Sequence, residues 1–241
     1  MAQLVVPHPT NRHPATDIWI WLLNGATVIG VLVSLWLALW WTPKEAVEGD
    51  VFRIFYVHVP LAWNMYVAFF VVFAASVLYL WRREQVWDRV ARVSAEVGLL
   101  FTTLVLITGS IWGRPVWGVW WTWDARLTTT LVLWFMYLAY LLLRSYSRDG
   151  GQAPRYAAVL GIVAFVDVPI VQFSVTWWRT LHPQSDILAP GHLAGSMVAG
   201  MLVSLVSFSL LGLALFVQRY RIESMRDEAR TLRQRLEEAE G

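Results

Sequence analysis

The chain has 241 residues, of which 57% are hydrophobic and only 15% charged, against roughly 25% charged in an ordinary soluble domain; its mean hydropathy is +0.51. It contains no cysteine, which excludes disulfides, thiolate metal ligands and a cysteine nucleophile. Its one lysine, Lys44, follows Pro43, so no Gly-Lys pair can build a phosphate-binding loop and any ATP must be used by a partner, while a net charge of +2 gives no reason to expect nucleic acid.

A helix that crosses a bilayer takes about 20 residues. Hydrophobic runs at 17–41, 55–81, 93–111, 127–143, 156–178 and 193–217 predict an all-α polytopic membrane protein with six transmembrane helices. This division leaves an N-terminal segment at 1–16, a membrane domain at 17–217 and a charged tail at 218–241. The first run ends in Trp40-Trp41 and is longer than the core of a signal peptide, so it is expected to be a retained anchor.

The cations fix an expected orientation. Fourteen of nineteen (Arg12; Arg82, Arg83, Arg89 and Arg92; Arg144, Arg148 and Arg155; Arg219, Arg221, Arg226, Arg230, Arg233 and Arg235) fall on one side of the predicted spans. Lys44, Arg53, Arg114, Arg126 and Arg179 fall on the other. The positive-inside rule then puts both termini in the cytoplasm and turns segments 42–54, 112–126 and 179–192 outward. In the tail, Met225, Leu232 and Leu236 are spaced as on a short amphipathic helix, expected to be a solvated extension. Gly191, Gly195 and Ala199 form a small-residue face suited to close helix packing.

The second outward segment, SIWGRPVWGVWWTWDARLT at 110–128, holds Trp112, Trp117, Trp120, Trp121 and Trp123. An aromatic belt at the membrane surface scatters one or two indoles per helix end. Five in one connection, broken by Gly113, Pro115 and Gly118, predict instead a flat aromatic platform for a large planar apolar ligand. Of the five histidines, His8 and His13 lie in the N-terminal segment and are given no role. His58, in RIFYVHVP, and His182, in VTWWRTLHP, come from different spans but share the outward face with the tryptophans. A porphyrin leaves two axial positions on its iron, which neutral imidazoles fill well. His58 and His182 are therefore the candidate axial ligands of a haem, with His192 in reserve. The propionates need cationic partners, for which Arg126 and Arg53 are the first candidates and Arg114 and Arg179 the second. Asp124 either contacts the haem or fixes Arg126 or an indole N–H.

With these residues in view, WGVWWTWDARLT resembles the tryptophan-rich signature of the haem-handling membrane proteins of cytochrome c biogenesis. The surroundings RIFYVHVP, VTWWRTLHP and TGSIWGRPVWG make residues 17–217 most similar to the haem exporter C family of the cytochrome c maturation system. The resemblance implies that His58 and His182 correspond to the family's axial ligands and that Trp117 to Arg126 belong to its haem-binding segment. It further implies a carrier rather than an enzyme, placed in the bacterial inner membrane, which presents haem at the periplasmic face to a haem chaperone. Its partners would be an ABC-type ATPase, a second membrane subunit and a small single-span subunit. The charged tail is not part of the resemblance. A cytochrome c haem lyase of the same superfamily would carry more spans and a further intramembrane His pair, and a cytochrome b-type electron-transfer subunit would bury its His pairs within spans. Lastly, Asp167 falls inside the fifth run beside Pro169, where a neutral or hydrogen-bonded carboxyl facing the bundle is expected.

Overall fold

The computed structural model describes residues 14–146, 152–182 and 193–240. Of the positions singled out above, His8, His13, Arg12, Arg148, Gly191 and His192 lie outside them. Seven helices make six crossings: α1 (Pro14–Trp36), α2 (Phe55–Arg82), α3 (Gln85–Trp117), α4 (Ala125–Tyr146), α5 (Ala153–Phe165) with α6 (Asp167–Trp177), and α7 (Gly195–Glu240). Six helices are thus long and apolar enough to cross a membrane, and among the described residues the only extended pairing is an isolated bridge between Glu45 and Gly49. One face of the bundle gathers the 42–54 segment, the end of α3 and residues 178–182. The opposite face gathers Arg82, Gln85, Arg144, Ala153 and the outer half of α7.

Three helix boundaries differ from expectation for reasons the chain itself supplies. First, α3 does not stop at residue 111 but runs on through Pro115 to Trp117, so Trp112 and Trp117 are helical rather than part of an irregular loop. Gly118 ends the helix with φ +79°, a left-handed conformation suited to glycine, and its N–H closes the last turn on the Arg114 carbonyl. Second, the fifth crossing breaks at Val166 between α5 and α6. Pro169 has no N–H to offer the Phe165 carbonyl and its ring crowds that same carbonyl, which interrupts the helix. Asp167 therefore sits in the first turn of α6, buried against the bundle as expected, where the positive end of a helix dipole favours an acid; its Oδ2 has no hydrogen-bond partner. Third, the sixth run and the tail form one uninterrupted helix, α7. The first part of the tail is not a solvated extension: Glu223 is 2% exposed and pairs with Arg92, while Arg89 binds Asp227 at 2.8 Å and Arg219 binds Glu96 at 2.5 Å. Only the last turns, with Leu232 and Leu236 exposed, meet solvent on all sides.

The core lies among α2 to α6, where Phe69 and Tyr137 stack with ring centroids 3.7 Å apart and planes 6° from parallel. Helix α3 approaches this stack across Gly98, where an added Cβ would stand 2.5 Å from the Phe69 ring. At the periphery, α1 packs on α7 through a Ser34–Ser204 hydroxyl contact of 2.8 Å and a Gln218–Asn24 hydrogen bond of 2.8 Å. Its remaining faces are apolar and exposed, as a helix bathed in lipid should be. Ordinary polar groups within the spans are satisfied locally, for example by Thr102, Thr103 and Ser207 donating to the carbonyl four residues back. Because Phe69 is locked by Tyr137 and cannot yield, Gly98→Ala is expected to destabilise the fold by about 1–3 kcal/mol. A thermal melt of the detergent-purified protein checks this, and an unchanged midpoint would refute the close approach.

Candidate functional site

The segment between α1 and α2 is a short, self-bonded turn. The Glu45 carboxylate accepts the N–H groups of Val47 and Glu48 at 2.8 and 2.6 Å, and Gly49 takes φ +61° to reverse the chain. The Glu48 N–H in particular holds the Glu45 carboxyl below its ordinary range, and the hydrogen bond from Lys44 does the same for Asp50. This turn presents Glu48 to the Trp112 indole N–H, which donates to it at 2.7 Å. Trp112 is thereby held edge-on to Phe52, Phe55 and His58, its ring centroid 5.7 Å from that of His58. Arg53 is engaged in the same turn, donating to Asp50 at 3.0 Å and to the Ala38 carbonyl, and it does not line the cavity described below.

His58 is buried in the first turn of α2, with its Nδ1 2.8 Å from the Thr108 hydroxyl. Thr108 also lies 2.7 Å from the Leu104 carbonyl, to which its hydroxyl can donate. With that proton on Leu104, the threonine oxygen accepts from an Nδ1–H and the Nε2 lone pair is left over, the state in which an imidazole binds a metal. Gly109 makes room for the ring, since a Cβ there would stand 3.2 Å from His58 Cε1.

His182 is reached through a different chain of contacts. Asp124 caps α4 by accepting the Leu127 N–H at 3.0 Å, and its other oxygen accepts the Thr180 hydroxyl at 2.9 Å. Thr180 then accepts the His182 backbone N–H at 3.1 Å. The carboxylate that starts α4 therefore also ties down the segment after α6, and it touches neither Arg126 nor an indole N–H. The His182 ring lies 6.4 Å from Trp117.

Two adjoining cavities, of about 280 and 800 Å³, share His58, Ala62, Tyr66, Trp112, Arg126 and His182 in their walls. Both sizes fall near the usual range for small-molecule sites. The smaller adds Trp117 and Trp121; the larger extends between α2, α6 and α7 along Trp63, Phe165 and Phe173. The five tryptophans do not form one flat platform. Trp112, Trp117 and Trp121 wall the cavity, whereas Trp120 and Trp123 are 60% and 75% exposed, and the Trp121 and Trp123 planes meet at 78°. The geometric cause is the end of α3 at Gly118, after which the chain turns and separates side chains that sequence proximity had grouped.

Two buried donors in this wall have no acceptor among the described residues: the Trp121 indole N–H and Nη1 of Arg126. The other candidate cations are elsewhere: Arg114 folds back on the Gly118 carbonyl, and Arg179 is exposed and lines neither cavity. Thr108, Glu48, Thr180 and Tyr66 were not singled out from sequence, because their positions depend on contacts between helices far apart in the chain.

Comparison with known proteins gives the geometry its context. The chain is similar to Heme exporter protein C of Bradyrhizobium diazoefficiens, 38% identical over 234 residues that cover 96% of this chain and 89% of that protein. It is also similar to Heme exporter protein C of Haemophilus influenzae, at 38% identity over 85% of this chain and 84% of that protein, and to that of Escherichia coli K12, at 35% over 83% and 81%. The sequence model of the family described as Heme exporter protein C matches residues 3–235, and a match of this extent identifies the chain as a multi-pass membrane protein belonging to the haem exporter protein C family.

Proposed function

We propose that the protein binds haem b noncovalently and transiently at the periplasmic face of a bacterial inner membrane and delivers it to a periplasmic haem chaperone for c-type cytochrome biogenesis. The observation that carries this reading is the coincidence, in one cavity wall, of a histidine anchored through its Nδ1 and two buried N–H donors without acceptors among the described residues. A lone buried donor costs about 1–3 kcal/mol, more if it is charged. An anionic, acceptor-rich group entering beside a metal centre relieves both donors at once, and haem combines an iron with propionates. In this reading His58 and His182 supply the axial imidazoles, and Trp112, Trp117 and Trp121 enclose the ring. Arg126 pairs with a propionate through its fork, and Trp121 N–H adds a neutral donor. Asp124 positions His182 through Thr180. Arg53 orders the turn that carries Glu48 and so acts on the pocket through Trp112. Trp120 and Trp123, at the exposed rim, offer apolar contacts to the approaching chaperone. With no phosphate-binding loop of its own, the chain depends on an ABC-type ATPase, joined by a second membrane subunit and a small single-span subunit. The protein carries haem and is not an enzyme.

Bis-imidazole ligation gives a low-spin, six-coordinate haem spectrum. His58→Gly or His182→Gly should open one axial position, and added imidazole should restore part of the spectrum. A wild-type spectrum in the double variant would sink this assignment of the ligands, and its abolition by His192→Ala would move the ligation there.

The donors separate from the stacking by substitution. Trp121→Phe keeps an aromatic wall but removes the N–H, and Arg126→Gln removes the charge; each is expected to weaken haem retention by about tenfold or more, the scale of a hydrogen bond to a charged acceptor. Trp120→Ala and Trp123→Ala should leave haem content unchanged and slow transfer to the chaperone. Titration of haem into the purified variants reads the first effect and stopped-flow transfer the second; a Trp121→Phe protein that binds as wild type would remove the indole from the propionate site.

The orientation is open to cysteine labelling on the natural cysteine-free background. Cysteine at Val47, on the exposed turn, should react with an impermeant reagent in intact spheroplasts, and cysteine at Glu84 should react only after lysis. The reverse pattern would put the proposed haem site in the cytoplasm.

A further inference from the structure

The arginine-rich face carries a separate cavity of about 990 Å³, framed by the end of α2, the starts of α3 and α5, the end of α4 and the middle of α7. Among the described residues six arginines line it, Arg89, Arg92, Arg144, Arg155, Arg226 and Arg230, against three carboxylates, Asp88, Glu223 and Asp227. Each carboxylate already holds one arginine closely: Asp88 grips Arg144 through both oxygens at 2.7 and 2.5 Å, Glu223 binds Arg92, and Asp227 binds Arg89 at 2.8 Å. Arg226 and Arg230 reach those same carboxylates only at 3.4 and 3.7 Å. Among the described residues, the Arg155 guanidinium has no carboxylate partner. A second and independent sign comes from inside the wall. The Arg144 side chain is 9% exposed, and its Nε is buried without a hydrogen-bond acceptor.

The level of the cavity in the membrane identifies the kind of anion. Trp81 in the last turn of α2 and Tyr156 in the first turn of α5 are both exposed at its level, and such aromatics mark the depth of the headgroups. One turn after Arg155 on α5, Val159 is exposed and apolar on the same side of the helix. Basic pockets between transmembrane helices are suited to lipid phosphates, whose acyl chains need an apolar surface next to the polar site. We propose that this cavity binds the phosphate of an anionic phospholipid, with Arg155, Arg226 and Arg230 around the headgroup, Arg144 Nε as the innermost donor, and an acyl chain along Val159.

This site is on the opposite face from the histidine cavity, and it stands or falls apart from the reading of that cavity. The test uses the full-length protein, purified in neutral detergent and stripped of lipid, with melting followed on addition of phosphatidylglycerol, phosphatidylcholine or inorganic phosphate. Phosphatidylglycerol should raise Tm by about 3 °C or more, as binding to the folded state requires, and should survive as a bound lipid in native mass spectrometry, while the other two should do neither. The Arg155→Gln/Arg230→Gln variant changes two exposed side chains, so it should fold normally, yet lower phosphatidylglycerol affinity by about tenfold and leave haem binding unchanged. Equal effects of the two lipids would overturn the proposal, as would a double variant that keeps wild-type affinity. If inorganic phosphate matched phosphatidylglycerol, the site would be one for a soluble anion and the lipid assignment would be wrong.

Discussion

Inside a hydrocarbon slab a polar group has no water to turn to, and each one left without a partner costs free energy that the fold must supply elsewhere. Most of this molecule obeys the constraint by short-range means, with threonines and serines bonding back along their own helices. Eight buried side-chain atoms among the described residues do not. Three of them, on Trp121, Arg126 and Thr128, fall within eight residues at the start of α4, and another is Arg144 Nε at its far end. The same helix thus carries unfilled hydrogen-bonding capacity at both of its ends, where ligands can reach it, while its middle is closed by Tyr137 and Tyr140.

The two ends are built by different physics. At the tryptophan-rich end, hydrogen bonds relay position: Thr108 anchors the His58 ring, Glu48 sets the angle of Trp112, and Asp124 with Thr180 sets the backbone of His182. Two charged side chains, Glu48 and Arg126, share that wall with residues that are mostly apolar. At the other end, positive and negative side chains bind α3 to α4 and α7 directly. Removing one partner there would strand a charge, which costs more than losing a neutral hydrogen bond.

Much of this could be read from the chain. Six crossings followed from hydropathy, as did the burial of Asp167 against the bundle. That His58, His182, Trp112, Trp117, Trp121 and Arg126 meet around one space was suggested by their common membrane face alone. The sequence did not separate the indoles that face inward from those that face outward, because that depends on Gly118 closing α3 after Trp117 rather than before Trp112. A glycine's left-handed turn is a single-residue event, and two other helix-disfavouring residues, Gly113 and Pro115, stood close enough to mask it. Arg53 looked like a ligand from its spacing to His58, yet the nearby Asp50 and the Ala38 carbonyl take its donors. The tail looked solvated because its charges alternate in sign; in space Arg219, Glu223 and Asp227 find their opposite charges on α3, at Glu96, Arg92 and Arg89.

Helix α7 has 46 residues without interruption. At 1.5 Å per residue it is about 69 Å long, more than twice the roughly 30 Å of a hydrocarbon core. Its inner portion includes Met201 and Leu205, which wall the larger cavity beside His58 and His182, and its outer portion ends well clear of the bundle. The ion pairs of Arg89, Arg92 and Arg219 grip this rod near its middle. From that grip to Met201 and Leu205 the helical hydrogen bonding is unbroken, so a partner that seizes the free end has a continuous backbone path to the cavity wall.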